Sequence, residues 1–294
     1  MIRQTELQKL ANDYGVPGYT IDRDWVIGHI LKAMFQRDTL FSGFVFKGGT
    51  CLRKCWFPGY RYSEDLDFTV INPDLKIQLE DLRSLAKLVY ENTFDEWFNR
   101  GVLIDDISME SVNYKDLPMG YSVQFSFYGA HHNSNQAVPP VSRWLTKISM
   151  DISSAELLAL TPVKRDLIHR FSDFFSEPVQ IPCYPIEEIL SEKLRALVER
   201  KYTSPRDYYD LWYISNSLNE IDWALVGEVF KRKCIYKGIV IPESSQVITS
   251  ERKMILEKHW KKNLEYLMPA SMVPDLYLVI HDVQDLLNGL SLHP

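Results

Sequence analysis

Hydrophobic and polar positions change rhythm along this chain. Tyr121, Val123, Phe125 and Phe127 alternate with Ser122, Gln124 and Ser126, a two-residue period that predicts a strand with one buried face over residues 120–128. Residues 145–152 repeat the pattern, with Ile148, Met150 and Ile152 on one face and Lys147, Ser149 and Asp151 on the other. Strands are also expected over 44–46, 65–71 and 104–114. Helical spacing replaces the alternation elsewhere: Trp25, Ile27, Ile30, Leu31 and Met34 predict a helix from residue 22 or 23 to 36, with Asp22 as its N-cap. Further helices are expected over 2–12, 50–56 and 75–100. Pro58-Gly59 reads as a turn and residues 130–142 as a polar loop.

Beyond Pro185 only helical spacing remains, over 186–200, 205–218, 223–233, 251–266 and 274–290. The expected class is therefore α+β, a mixed sheet with flanking helices followed by an all-helical C-terminal domain. The joint falls near residues 178–185, giving domains 1–180 and 181–294.

Bulk composition narrows the partners. With 294 residues, 46% hydrophobic and 24% charged, the chain reads as a soluble globular protein of one large or two ordinary domains. A net charge of −6 argues against a broad nucleic-acid surface, so any RNA must meet a local basic patch. The polar start MIRQTELQKLANDYG is not a signal peptide, and no apolar run approaches the ~20 residues of a membrane span. No membrane partner is expected, and the cytoplasm is the expected compartment. Cys51 and Cys55 are four apart, but no His or Cys adjoins them in sequence, so buried thiols are expected in place of a zinc site.

The chemistry concentrates in FVFKGGTCLRKCWFPGYRYSEDLDFTV, residues 44–70. Asp65 and Asp67 are two apart, so on a strand both carboxylates face one way. Two adjacent acids repel unless a cation lies between them, and magnesium with substrate phosphates suits such oxygens. Gly48 and Gly49 lack Cβ atoms, so their backbone N–H groups can approach a phosphate; Thr50 adds a hydroxyl at a helix start. Gly49 lies 16 residues before Asp65, enough for a short helix, a turn and a return strand. A lone Gly-Gly is ordinarily a turn and a lone Asp-x-Asp a solvated edge. In this order and spacing they are far more specific together. Asp151, on the polar face of its strand, is the candidate third acid of a two-metal site.

Gly48-Gly49-Thr50 followed by Ser63-x-Asp65-x-Asp67-Phe68 resembles the first motif of the DNA polymerase β-like nucleotidyltransferases, and KGGTCLRK with YRYSEDLDF resembles their AbiEii/AbiGii branch. KISMDIS at 147–153, PVKRDLIHRFSD at 162–173, ILSEKLRA at 189–196 and PRDYYDL at 205–211 resemble later parts of that branch, over roughly residues 22–215. The resemblance implies a toxin of an abortive-infection or toxin–antitoxin system that transfers NMP from an NTP and releases pyrophosphate. Gly48, Gly49, Thr50 and Ser63 would bind the nucleotide. Asp65, Asp67 and Asp151 would hold Mg2+ or Mn2+, with Asp151 as general base or extra ligand. Lys193 would reach the triphosphate, and Asp207 and Asp210 would be required for activity, positioning Lys193 or Arg206. His169 would line the cleft. Members of the branch modify the 3′ end of tRNA, and their antitoxin, encoded nearby, commonly forms no stable complex, which implies a monomer.

Candidate tRNA contacts are Lys231, Arg232, Lys233, Lys237, Lys253, Lys258, Lys261 and Lys262, residues that a solvated helix face explains equally well. His131 and His132 read as surface residues. Tyr208, Tyr209, Trp212 and Tyr213 read as core. Two other functions stay open: a GTP- or NTP-binding module without turnover, and a small-molecule nucleotidyltransferase of the antibiotic-modifying kind. Neither the preferred NTP nor the role of the helices after about residue 220 is written in a local motif.

Overall fold

A computed structural model describes residues 1–36, 40–72, 75–114, 117–132 and 137–290; residues 133–136 of the expected polar loop lie outside them. The chain divides into two compact units, residues 1–156 with 162–183, and residues 157–161 with 184–294.

The first unit is built on a seven-stranded mixed sheet in the order β3-β4-β5-β2-β1-β7-β6. Its strands are β1 (Phe44–Lys47), β2 (Asp65–Val70), β3 (Leu103–Tyr114), β4 (Leu117–Tyr128), β5 (Thr146–Ser153), β6 (Val163–Asp166) and β7 (Gln180–Cys183). The alternation in β5 appears as buried Thr146, Ile148, Met150 and Ile152 against more exposed Lys147, Ser149, Asp151 and Ser153. Phe46, Leu66, Phe68, Val123 and Phe125 continue the apolar face, each almost wholly buried. Three helices precede or flank the sheet: α1 (Gln4–Tyr14), α2 (Gly18–Phe35) and α4 (Leu79–Thr93). Phe35 of α2 meets Phe68 of β2 with ring centroids 6.2 Å apart. Between β1 and β2 lie the single turn α3 (Gly48–Cys51) and a π-helical turn, Leu52–Trp56.

Several expectations change here. Helix α2 starts at Gly18, because extended Pro17 sets its N-terminus. Asp22 is therefore not an N-cap. It is fully buried inside the helix and accepts a 2.7 Å hydrogen bond from the Ala130 backbone N–H. Helix α4 ends at Thr93, whose hydroxyl accepts from the Val102 N–H at 2.8 Å, and the chain turns back through an Asp95–Arg100 bridge. Strands β6 and β7 have no counterpart in the sequence expectation. They are four residues each, and β7 runs parallel to β1, pairing at Phe46 and Cys183.

The second unit holds helices α5 (Ile186–Glu199), α6 (Pro205–Ser217), α7 (Trp223–Lys237), α8 (Ser244–Val247), α9 (Ser250–Leu264) and α10 (Leu276–Gly289). Pro205 at the first position of α6 and Asp222 and Asp275 before α7 and α10 are favourable starts. Residues 157–161 join this unit through buried Glu188. Its carboxylate accepts from the Ala159 and Leu160 N–H groups at 2.8 and 2.9 Å. Lys233, also buried, donates to the Leu157 carbonyl at 2.7 Å and pairs with Glu188 at 2.8 Å and Glu192 at 3.2 Å. No helix among the described residues is long and apolar enough to cross a membrane.

Candidate functional site

The polar face of the sheet collects the acids. In the parallel pairing of β2 with β5, Asp67 stands opposite Asp151 and Asp65 opposite Ser149. Paired residues of neighbouring strands point to the same side, so all three acids share one face. The row continues outward: Lys47 pairs with Asp67 across β1, and Ser122 pairs with Asp151 across β4. Ser122 Oγ donates to Asp151 Oδ1 at 2.9 Å and so fixes that carboxylate. Asp151 is exposed, while Asp65 and Asp67 are half-buried.

The glycine turn is fitted to the acid strand. Gly48 has φ +78°, and a Cβ there would stand 2.2 Å from Asp67 Oδ2. Only glycine allows both that backbone conformation and that approach. A Cβ on Gly49 would meet the Arg61 guanidinium at 2.9 Å and Ser63 Oγ at 3.0 Å, which places Ser63 and Arg61 against the same turn. Thr50 is fully buried and its hydroxyl donates to the Asp65 backbone carbonyl. That bond ties the turn to the acid strand. Arg23 of α2 pairs with Glu64, next to Asp65.

A buried ion network braces the segment after the turn. Asp24 of α2 receives Arg53 Nε at 2.7 Å and Lys54 Nζ at 2.9 Å. Burial pushes the Asp24 carboxyl up, but the two cations outweigh it and hold its pKa at about 2. Nearby in sequence, burial pushes Asp22 up to about 7, against the lowering effect of hydrogen bonds from the Ala130 and His131 backbone.

His169 lies in a second lock of this unit. Asp173 lies 3.1 Å from the Nε2 atoms of both His29 and His169, and it accepts from Trp25 Nε1 at 2.9 Å. Burial lowers the pKa of both imidazoles, His169 to about 4. Neutral rings donating from Nε2 satisfy the carboxylate, while both buried Nδ1 atoms lack a hydrogen-bond partner. A metal-bound histidine normally donates its other nitrogen to a partner, so this trio fits a structural carboxylate lock better than a metal site. Sequence reasoning missed Trp25, His29 and Asp173 as a group, since 144 residues separate His29 from Asp173.

Two groups of three metal-competent atoms lie within 4.8 Å of one another among the described residues, namely His29–His169–Asp173 and Cys51–Cys55–Cys183. The acids Asp65, Asp67 and Asp151 share a face without gathering that tightly. The expectation that Cys51 and Cys55 have no cysteine neighbour is corrected: strand β7 delivers Cys183 to them.

In the second unit, Lys193 Nζ lies 2.9 Å from Asp207 Oδ1 and 2.7 Å from Asp210 Oδ2, and both acids are buried. The three residues are thus brought together as an ion triad. Arg200, which sequence reasoning did not single out, also pairs with Asp207; half-buried Arg206 follows Pro205 at the start of α6. Tyr208 and Tyr209 are buried, and Trp212 Nε1 donates to Asp282 at 3.0 Å, as core residues would. Lys233 is withdrawn from the list of RNA contacts, because its ammonium is spent inside the unit. Lys253, Lys258, Lys261 and Lys262 are exposed on α9.

A family model described as "Nucleotidyl transferase AbiEii toxin, Type IV TA system" matches residues 29–288. The chain belongs to the AbiEii nucleotidyltransferase toxin family. Its fold is similar to MenT4, the nucleotidyltransferase toxin Rv2826c from Mycobacterium tuberculosis H37Rv, with a TM-score of 0.66 and 18% identity over 99% of this chain and 91% of that one. JHP933 from Helicobacter pylori is similar at a TM-score of 0.53 and 15% identity, covering 93% of this chain and 92% of that one. No curated protein is a significant match in sequence. The chain is thus a nucleotidyltransferase of a type IV toxin–antitoxin system, a class that uses an NTP and a divalent metal and has a cognate antitoxin. The acid row fits such an ion: its donors are hard carboxylate oxygens, and the missing Cβ of Gly48 leaves space for the Asp67 carboxylate.

Proposed function

We propose that this AbiEii-family chain transfers NMP from an NTP to the 3′ end of tRNA in the cytoplasm, with Mg2+ as its ion and pyrophosphate as leaving group. The observation that carries the reading is the register of Asp67 opposite Asp151, with the Gly48 turn closed against Asp67. Asp65, Asp67 and Asp151 would hold the metal, which on binding neutralises phosphate charge and lowers the pKa of an attacking hydroxyl. Ser122 orients the Asp151 carboxylate, which takes the proton of the acceptor hydroxyl as general base. Backbone N–H groups of Gly48 and Gly49, with Ser63, bind the triphosphate.

Among the residues of the second unit, Lys193, held by Asp207 and Asp210, would be a phosphate-binding cation and Arg206 a further nucleotide contact. Lys258, Lys261 and Lys262, at helical spacing on one face of α9, supply the local positive charge that an RNA acceptor requires of a chain with net charge −6. The protein acts as a monomer, and its antitoxin forms no stable complex with it.

The test is incubation of the native chain and Asp67→Ala with each labelled NTP and total tRNA, with and without chelator. Label on the RNA 3′ end from the native chain alone, lost on chelation, supports the reading. Absence of label in RNA from every NTP removes the tRNA acceptor, and a co-purifying antitoxin removes the unbound state.

A further inference from the structure

Three of the four cysteines meet at one point of the first unit. Cys51 closes α3, Cys55 lies in the π-helical turn, and Cys183 ends β7. All are free thiols, with relative exposures of 0%, 2% and 0%, and their sulfurs lie within 4.8 Å of one another. Helical spacing places Cys51 and Cys55 on one face, and the parallel pairing of β7 with β1 brings in Cys183. Cysteine is an adequate small hydrophobe, so packing alone gives no reason for three thiols to converge.

We propose that Cys51, Cys55 and Cys183 form a three-sulfur binding site for a soft metal ion, copper(I), beside the glycine turn. The donor set selects the ion. Thiolates favour soft ions over the hard magnesium that suits the acid row. Structural zinc takes four ligands in a tetrahedron, and no fourth His, Cys, Asp or Glu joins this group among the described residues. Copper(I) is satisfied by thiolates alone. Positive charge lies nearest Cys55, where Arg165 Nε donates to the backbone carbonyl at 3.2 Å, while burial opposes the charged form at Cys51, so the ion itself must displace the protons. On binding, each coordinating thiol releases its proton to solvent, no electron is transferred, and loading is favoured as pH rises. The burial of all three sulfurs means that the ion enters while the chain folds or opens locally. Once bound, it would clamp three elements together, and the first of its ligands directly follows Thr50 of the turn.

The test uses the full reduced chain, expressed with copper and purified without chelator, and compares it with Cys183→Ser, Cys55→Ala and Cys234→Ala. About one copper per chain is expected, with sulfur-only three-coordination at the copper absorption edge and an ultraviolet thiolate charge-transfer band. Loss of the ion in Cys183→Ser and Cys55→Ala with retention in Cys234→Ala supports the site, because Cys234 lies on α7 in the other unit. Nitrogen or oxygen ligation, no copper retained through gel filtration, or equal copper in all variants overturns it. Should a variant fail to fold, the stoichiometry and edge spectrum of the native chain decide the question alone.

Discussion

Asp67 and Asp151 are direct partners in the parallel pairing of β2 with β5, though 84 residues separate them in the chain. Ser122, one strand further, holds Asp151 by a 2.9 Å hydrogen bond. On the proposed reading Asp67 is a metal ligand, and its replacement by Asn is expected to reduce NMP transfer about 100-fold or more. Ser122→Ala removes only the orienting bond and is expected to cost about 10-fold. Single-turnover transfer rates on matched, folded proteins check both.

Gly48→Ala tests the fit of the turn. The methyl would stand 2.2 Å from Asp67 Oδ2 at a φ of +78°, so either the turn or the carboxylate must move. Transfer is expected to fall as far as in Asp67→Asn while unfolding stability drops only modestly, by about 1–2 kcal/mol in a urea titration. A fully active Gly48→Ala would show that the closeness of turn and acid is incidental.

Asp24→Asn removes the charge that Arg53 and Lys54 share. A buried ion pair broken on one side typically costs about 3 kcal/mol or more, and that loss is expected in denaturant titrations at pH 7. The sign with pH follows from the depressed carboxyl. Its stabilising contribution is complete above the ordinary pKa of 3.8 and fades as pH falls towards about 2. The native chain should therefore lose its advantage over Asp24→Asn in that acid window.

Asp22 runs the other way. With a folded pKa of about 7 against an ordinary 3.8, the folded chain keeps a proton that the unfolded chain has shed. Stability from this group is complete below pH 3.8 and is lost as pH rises through 7. Asp22→Asn retains an acceptor for the Ala130 N–H without the charge, and is expected to be more stable than the native chain at pH 8, by at most about 4 kcal/mol, with little difference at pH 4. Paired urea titrations at the two pH values measure it.

Lys193→Met withdraws the cation between two buried acids and is expected to destabilise the helical unit by about 3 kcal/mol and to abolish transfer. Lys193→Arg keeps the charge and is expected to recover most of the stability but little activity, because a guanidinium has a different reach and shape. Melting curves and transfer assays on both variants separate the two effects.

The strand carrying Asp65 and Asp67 and the alternation around Asp151 were legible because a two-residue period is a local signal. The 16-residue spacing from Gly49 to Asp65 made it legible that turn and acids can share one pocket, but not which glycine meets which acid, since spacing does not report a distance across a turn. Strands β6 and β7 are not legible in the sequence: at four residues each, they carry too few positions for a period. With β7 unseen, Cys183 had no route to Cys51 and Cys55. Asp22 misled for a related reason. Its residue type suits an N-cap, but its burial is decided by Ala130, 108 residues away. Lys233 has the sequence context of a surface charge in a basic run, but its ammonium is held by the Leu157 carbonyl and Glu188.

The excursion of residues 157–161 into the helical unit means that the chain passes from one unit to the other three times, after residues 156, 161 and 183. During synthesis, Leu157 and Ala159 emerge well before Glu188 and Lys233, the residues that bind them. The early segment therefore waits for helices made later, and a fragment beginning at residue 184 would carry a buried glutamate and lysine stripped of their backbone partners. A single cut after residue 183 keeps every residue of the first unit but takes residues 157–161 away from the helical one.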